Sequence, residues 1–324
     1  MVRDHPPRIC FKVCGGDDWC FFSGGRGQRG AQYLGVFVFS CWLKLFPPSL
    51  PVPPSRRCRR MNSLFPDYGF ADVSYHTAMY GNSSNVIRTP TLDHLAYSGV
   101  RLENYYVQPV CSPTRACLMT GRYVTHHGIR TALVDSSVSA LGLDEVTLAH
   151  KMREAGYATH AIGKWHLGFK RWAYTPQERG FDSFFGYYAG SQDYYNHESL
   201  CWAGGVTNGC FENTTKDGAG VTGIDLHRNR DTVWNNSDYS TSLFTREAAR
   251  VIRRHAAATP DKPLFLYLPH QAVHVGNQPT PSHPEYAYDQ APQRYIDEYN
   301  WVQNVNRRNL SAMVGARPPW LEVA

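Results

Sequence analysis

Residues 111–122 read CSPTRACLMTGR, a cysteine set directly before Ser-Pro-x-Arg at what reads as the opening turn of a helix. Pro113 lacks an N–H and has a preset φ, so it suits the first helical position. Gly121 can take the left-handed conformation that closes a helix. Cys111 then stands at the positive end of a short helix, where exposed N–H groups and the dipole favour an anion and Arg115 adds a full positive charge. Either a thiolate or a bound oxyanion is stabilised there. The competing reading is a buried structural cysteine beside a surface arginine, and the surrounding chain decides between them.

Outward from this stretch, helical and strand patterns alternate. TPTLDHLAYSG at 89–99 carries Leu92, Leu95 and Ala96 before a closing Gly99 and predicts a helix; VRLENYYVQPV at 100–110 predicts a strand leading straight to Cys111. EVTLAHKMREAGYATHAIGKWHLG at 145–168 predicts a helix with Leu148, Ala149, Met152 and Ala155 on one face, then a strand through Ile162. SLFTREAARVIRRHAAATPDKPLFLYLPHQAVH at 242–274 predicts a helix with Phe244, Ala248, Val251 and Ile252 inward. It continues into LFLYL, apolar on both faces as a central strand is. The alternation implies an α/β fold with helices on both faces of a sheet, whose site lies where strands end. Three clusters stand at such ends: Cys111 to Arg115, Lys164 to His166, and His270 to His274.

A chain of 324 residues with 42% hydrophobic content can bury a sizeable core. The net charge of +6 comes partly from the run Arg56, Arg57, Arg59 and Arg60. That run is local and has no interleaved aromatics, which argues against a nucleic-acid partner. Nine cysteines fall into two groups, one crowding the first 60 residues and the other comprising Cys111, Cys117, Cys201 and Cys210. Cys201 and Cys210 bracket WAGGVTNG, a loop that a disulfide could close. Sequons at Asn82, Asn213, Asn235 and Asn309 fit a glycosylated, secreted or lumenal chain. The opening MVRDHPPRICFK is polar and does not read as a signal peptide. The apolar run YLGVFVFSCWLKLF at 33–46 contains Lys44 and is too short for a membrane span, so it reads as a buried segment. Residues 1–62 show no sustained period and are expected to form an irregular extension.

Cys-x-Pro-x-Arg followed by Thr-Gly-Arg resembles the signature of the sulfatases, and CSPTRACLMTGR matches it throughout. RTPTLDHLAYSGVRLENYYVQPVCSPTR, AGYATHAIGKWHLG, RGFDSFFGYYAGSQDYYNHES and KPLFLYLPHQAVH are also similar to sulfatase blocks, most closely of the arylsulfatase B type, over about 67–313. The resemblance implies an alkaline-phosphatase-like fold, a mixed central sheet with helices on both faces, present in part and lacking its C-terminal portion. The catalytic domain is then 63–316, with 317–324 a tail outside the family. It implies hydrolysis of sulfate esters on a sulfated glycan or aryl sulfate, in the lysosome or outside the cell. In the family the motif cysteine is oxidised to formylglycine by a formylglycine-generating enzyme that recognises the Pro and Arg. One oxygen of the hydrated aldehyde attacks sulfur and the other later expels sulfate, a covalent route with a built-in release step. By position, Arg115 holds the hydrate, Lys164 and His166 neutralise sulfate oxygens and orient the diol, and His274 serves the leaving oxygen. His126, His127 and His270 read as loop histidines.

The chain also departs from the pattern. Sulfatases hold calcium with carboxylate and amide oxygens, two of them from consecutive aspartates at the end of the first strand. Asp67 matches the second aspartate, Pro66 stands in place of the first, and MNSLF stands where the strand is expected. Asp17 and Asp18 have the wrong context to substitute. The resemblance ends near Ala316, before the Asp-Asn-Gly and lysine of the family, so the matched calcium donors are Asp67 and modified Cys111. The alternative reading is a truncated, non-catalytic form that binds sulfated ligands or a partner, or that does not fold. A zinc phosphoesterase of the related alkaline phosphatase type is disfavoured, because such enzymes use Ser or Thr as nucleophile.

Overall fold

LFLYLP at 264–269 forms a strand buried along its whole length and paired on both sides, as its unbroken apolar run requires. The computed structural model describes residues 20–22, 34–42, 59–79, 87–102, 105–133, 139–201, 221–276 and 290–315. In chain order the strands are β1 (Cys20–Phe22), β2 (Leu34–Trp42), β3 (Arg59–Tyr68), β4 (Val100–Leu102), β5 (Ala158–Lys164), β6 (Ser183–Tyr187), β7 (Glu198–Cys201), β8 (Val221–Ile224), β9 (His227–Arg228), β10 (Asp231–Thr232) and β11 (Leu264–Pro269). The α-helices are α1 (Ser74–Met79), α2 (Pro90–Ser98), α3 (Cys111–Thr120), α4 (Val124–His127), α5 (Leu148–Glu154), α6 (Ser240–Ala258), α7 (Gln293–Asp297) and α8 (Val305–Gly315).

Among the described residues, one nine-stranded mixed sheet runs β10-β9-β6-β5-β11-β3-β2-β1-β4, and β7 pairs with β8 apart from it. The centre, β6-β5-β11-β3, is parallel, so the C-terminal ends of these strands share one edge. Alternation along β11 shows how the layers form. Phe265 and Tyr267 pack with Ala116 and Met119 of α3 and Ala149 of α5. Leu266 and Leu268 pack with Leu243, Phe244, Ala248 and Val251 of α6. Helices therefore cover both faces, as the sequence pattern implies. A third cluster joins Tyr68, Val73 and Ala96 to Ala312, Met313 and Val314 of α8.

The predicted helices over 89–99, 145–156 and 242–258 correspond to α2, α5 and α6, and the strands through Ile162 and over 264–268 to β5 and β11. Two expectations need correction. Of the strand expected over 100–110, Val100–Leu102 forms β4 and 105–110 are not strand; Gln108-Pro109 lies just ahead of α3, where proline disfavours continued pairing. The stretch expected to be irregular contains β1 and β2, and MNSLF is itself strand, inside β3 between β11 and β2. The β-branched and aromatic run of Val36 to Phe39 suits pairing on a sheet. Pro66 is accommodated because Val36 pairs with Phe65 and Leu34 with Tyr68, so Pro66 and Asp67 together oppose Gly35 in a bulge, the place in a ladder where a missing N–H is tolerated.

Candidate active site

α3 begins at Cys111, with Val110 in extended backbone as its N-cap, and ends at Gly121 with φ 66°, its N–H on the carbonyl of Cys117 at 2.8 Å. Pro113 is thus third in the helix and not first, still within the turn whose N–H groups have no intrahelical acceptor. Parallel register brings Lys164 at the end of β5 and His270 after β11 to the same sheet edge, and α3 lays Cys111 against it.

Cys111 is a free, half-buried thiol. Burial opposes its ionisation, but the charges of Lys164 and His166 and the nearby imidazoles of His166 and His274 outweigh it and hold the thiol down to about 2. Four of the five residues read as catalytic, Cys111, Lys164, His166 and His274, therefore meet at one sulfur. The fifth, Arg115, is 1% exposed one turn along α3. Its Nη1 donates to the Lys164 carbonyl at 2.8 Å and to the Tyr267 hydroxyl at 3.3 Å, while Nε and Nη2 have no hydrogen-bond partner among the described residues. A buried guanidinium with unused donors calls for an anion.

Carbonyl partners fix the two histidine rings. Nε2 of His166 donates to the Leu133 carbonyl at 2.8 Å, and the buried Nδ1 has no hydrogen-bond partner among the described residues. Nδ1 of His274 donates to the Val275 carbonyl at 2.9 Å, which leaves Nε2 as the nitrogen able to exchange a proton with a bound group. The Tyr194 hydroxyl anchors the His274 carbonyl at 2.7 Å. His270 is 1% exposed, and burial lowers it to about 4, so it is neutral at physiological pH.

Other assignments fall differently. His126 and His127 lie in α4, not in a loop; Nδ1 of His127 accepts from the Ile129 N–H at 3.2 Å, so its Nε2 donates to the Cys117 sulfur at 3.3 Å. Asp67 is near the end of β3 at the sheet edge of Lys164 and His270, its side chain outside the described residues. Cys201 ends β7, while Cys210, Asn82, Asn213, Asp17 and Asp18 lie outside the described residues. Asn235 is exposed at φ 56°, and Asn309 is half-buried within α8.

The described side chains gathered at Cys111 are cations and nitrogen donors. Among the described residues no group of three or more His, Cys, Asp or Glu is placed to hold a metal ion. They do not make the oxygen cage that a hard divalent cation needs. They do make a cationic, largely buried cluster around Cys111 whose charge suits a tetrahedral oxyanion.

Comparison with known proteins bears on that chemistry. A family model described as sulfatase matches residues 70–313. Mouse arylsulfatase J is 41% identical over 251 residues, covering 76% of this chain and 36% of that protein. Human arylsulfatase G is 33% identical over 218 residues, covering 64% of this chain and 40% of that protein. Among solved structures, Ps i-CgsB in complex with k-i-k-neocarrahexaose superimposes with a TM-score of 0.56 at 28% identity, over 77% of this chain and 50% of that one. The chain thus spans half or less of the length of each of these relatives.

Proposed function

The chain belongs to the sulfatase family, and from that premise we propose that the Cys111 cluster is built for hydrolysis of sulfate esters. The observation that carries the proposal is the convergence of Lys164, His166 and His274 on Cys111, with Arg115 buried beside them and two of its donors unused. A sulfuryl group in transfer spreads negative charge over its oxygens, and cations fixed in place before reaction stabilise it most.

Cys111, as formylglycine, would supply the nucleophile; it is free, half-buried and at a helix start, a position such a modification fits. Lys164, held in the sheet edge at 0% exposure, binds a sulfate oxygen as a fixed point charge. Arg115, buried one turn along α3 with spare donors, would hold the hydrated aldehyde or a sulfate oxygen. His166 lies beside Cys111, its ring held through Nε2. His274 gives or takes the proton of the leaving oxygen through Nε2. Calcium belongs to the family expectation, with Asp67 and modified Cys111 as its donors, but the described side chains around Cys111 do not fit it.

The blocks similar to the arylsulfatase B type, with the oligosaccharide in the Ps i-CgsB complex, support a sulfated glycan as substrate class. The modifying partner is a formylglycine-generating enzyme, and the place of action is the lysosome or the extracellular space, which the four sequons favour. Among the described residues no helix is long and apolar enough to cross a membrane.

The test is turnover of a chromogenic aryl sulfate by chain from a secretory host, alongside the mass of the Cys111 peptide. The proposal expects the peptide as the aldehyde and turnover that Cys111→Ala abolishes. Folded, aldehyde-bearing chain without turnover overturns it in favour of a form that binds sulfated ligands without cleaving them.

A further inference from the structure

His166 occupies a conformation that a side chain rarely adopts, with φ 54°, and such strain persists only where neighbours over-determine it. Its N–H donates to the Tyr188 carbonyl at 3.1 Å. Its carbonyl accepts from the Ser112 hydroxyl at 3.0 Å. The same Ser112 oxygen accepts from the Leu133 N–H at 3.0 Å, and the Leu133 carbonyl takes the ring Nε2–H of His166 at 2.8 Å. The bonds close a loop: one hydroxyl grips the backbone of His166 and the backbone of the residue that holds its ring. Ser112 is 0% exposed and His166 4%, so water does not replace these bonds.

Space is set as tightly as hydrogen bonding. A Cβ on Gly190 would lie 2.9 Å from Cε1 and 3.0 Å from Nε2 of His166, so any larger residue there pushes the ring from its seat.

We propose that Ser112, directly after the motif cysteine, is a positioning residue that sets the orientation of His166, with Gly190 supplying the space the ring needs. Its functional meaning rests on the sulfatase reading of His166, whereas the positioning itself is measurable without turnover. Ser112 acts through two backbones from the first turn of α3, so the helix that carries the nucleophile position also sets the angle at which His166 meets it. Thr114, two residues on, makes no such link; its hydroxyl returns to the carbonyls of Gln108 and Val110.

The experiment is NMR of ¹⁵N-histidine-labelled full chain, reading the hydrogen-bonded Nε2–H of His166, assigned by its disappearance in His166→Gln. Ser112→Ala should lose that slowly exchanging signal or shift it, and Gly190→Ala should do the same without touching the hydroxyl. Thr114→Ala should leave it in place. Should Ser112→Ala fail to fold, Ser112→Cys takes the same readout, being close in size with a far weaker hydrogen-bonding group. An unchanged His166 signal in the folded Ser112 variant overturns the proposal. Aryl sulfate turnover, measured in parallel, tests the functional reading separately: an inactive parent chain sinks that reading while the NMR comparison still decides the role of Ser112.

Discussion

Lys164 is 0% exposed, and a charged ammonium at that site calls for an anion beside it. Burying an ammonium is costly unless it is paired, and in this chain the Cys111 sulfur provides the negative partner. On the proposed reading sulfate takes that place and Lys164 acts on the transferring group, so Lys164→Ala should lower kcat for an aryl sulfate by about 10²–10³, the usual cost of one preorganised stabiliser. Steady-state kinetics on aldehyde-bearing chain check this; an unchanged kcat removes Lys164 from the account. The residues carrying charge or a nucleophile were legible in the sequence because they sit in contiguous motifs, CSPTR, GKWH and HQAVH. Ser112, Tyr267, Tyr194 and Gly190 were not. Their roles depend on partners 54, 152, 80 and 24 positions away in sequence, and a hydroxyl or a glycine has no pattern of its own to announce such a contact.

Helix α6 shows the same logic at the scale of an element. Phe244 is 0% exposed and faces Phe185 and Tyr187 of β6, so Phe244→Ala should cost about 3–5 kcal/mol in a denaturant titration. Less than one turn on, on the same side of the helix, a carboxylate ties it by charge. Glu247 accepts from Arg228 of β9 at 2.7 Å and from Arg250 at 2.8 Å. Burial raises the Glu247 carboxyl, but hydrogen bonds from Arg250 and Arg228 outweigh it and bring it down to about 2. A carboxyl depressed on folding contributes stability above its unfolded pKa of about 4.3, and that contribution fades as pH falls toward 2. Both arginines are about half exposed, so the contribution is on the order of 1 kcal/mol. Glu247→Gln should lower stability by that amount at pH 7, with the gap closing below pH 4; a gap independent of pH contradicts the assignment. Elements with long periodic patterns, α6, β5 and β11, could be read from sequence. β3 could not, because its proline and polar residues argue against a central strand until the bulge opposite Gly35 is known.

For the whole molecule, the parallel centre of the sheet and its two helical layers follow from alternating patterns, and they bring three motifs distant in sequence to one edge. Metal and modification are tested at this scale. Calcium favours about six to eight oxygens, and the donors matched here are Asp67 and modified Cys111. Calorimetric titration should therefore find weak binding that Asp67→Ala barely changes; tight binding lost on Asp67→Ala means that further oxygens complete the site. Glycopeptide mass spectrometry should find sugar on exposed Asn235 and not on Asn309, which lies half-buried in α8 beside Ser311 at 2% exposure; an occupied Asn309 means that α8 is not packed in the glycosylated chain.

Whether the side chains around Cys111 form a seat for sulfate is tested most directly with the competing thiolate removed. Cys111→Ala empties the anionic position while leaving Arg115, Lys164, His166 and His274 in place. Isothermal titration of that variant with inorganic sulfate should show binding, and adding Lys164→Ala should weaken it about ten- to a hundredfold, the value of one charged hydrogen bond. No binding to folded Cys111→Ala, or binding that ignores Lys164, contradicts the account.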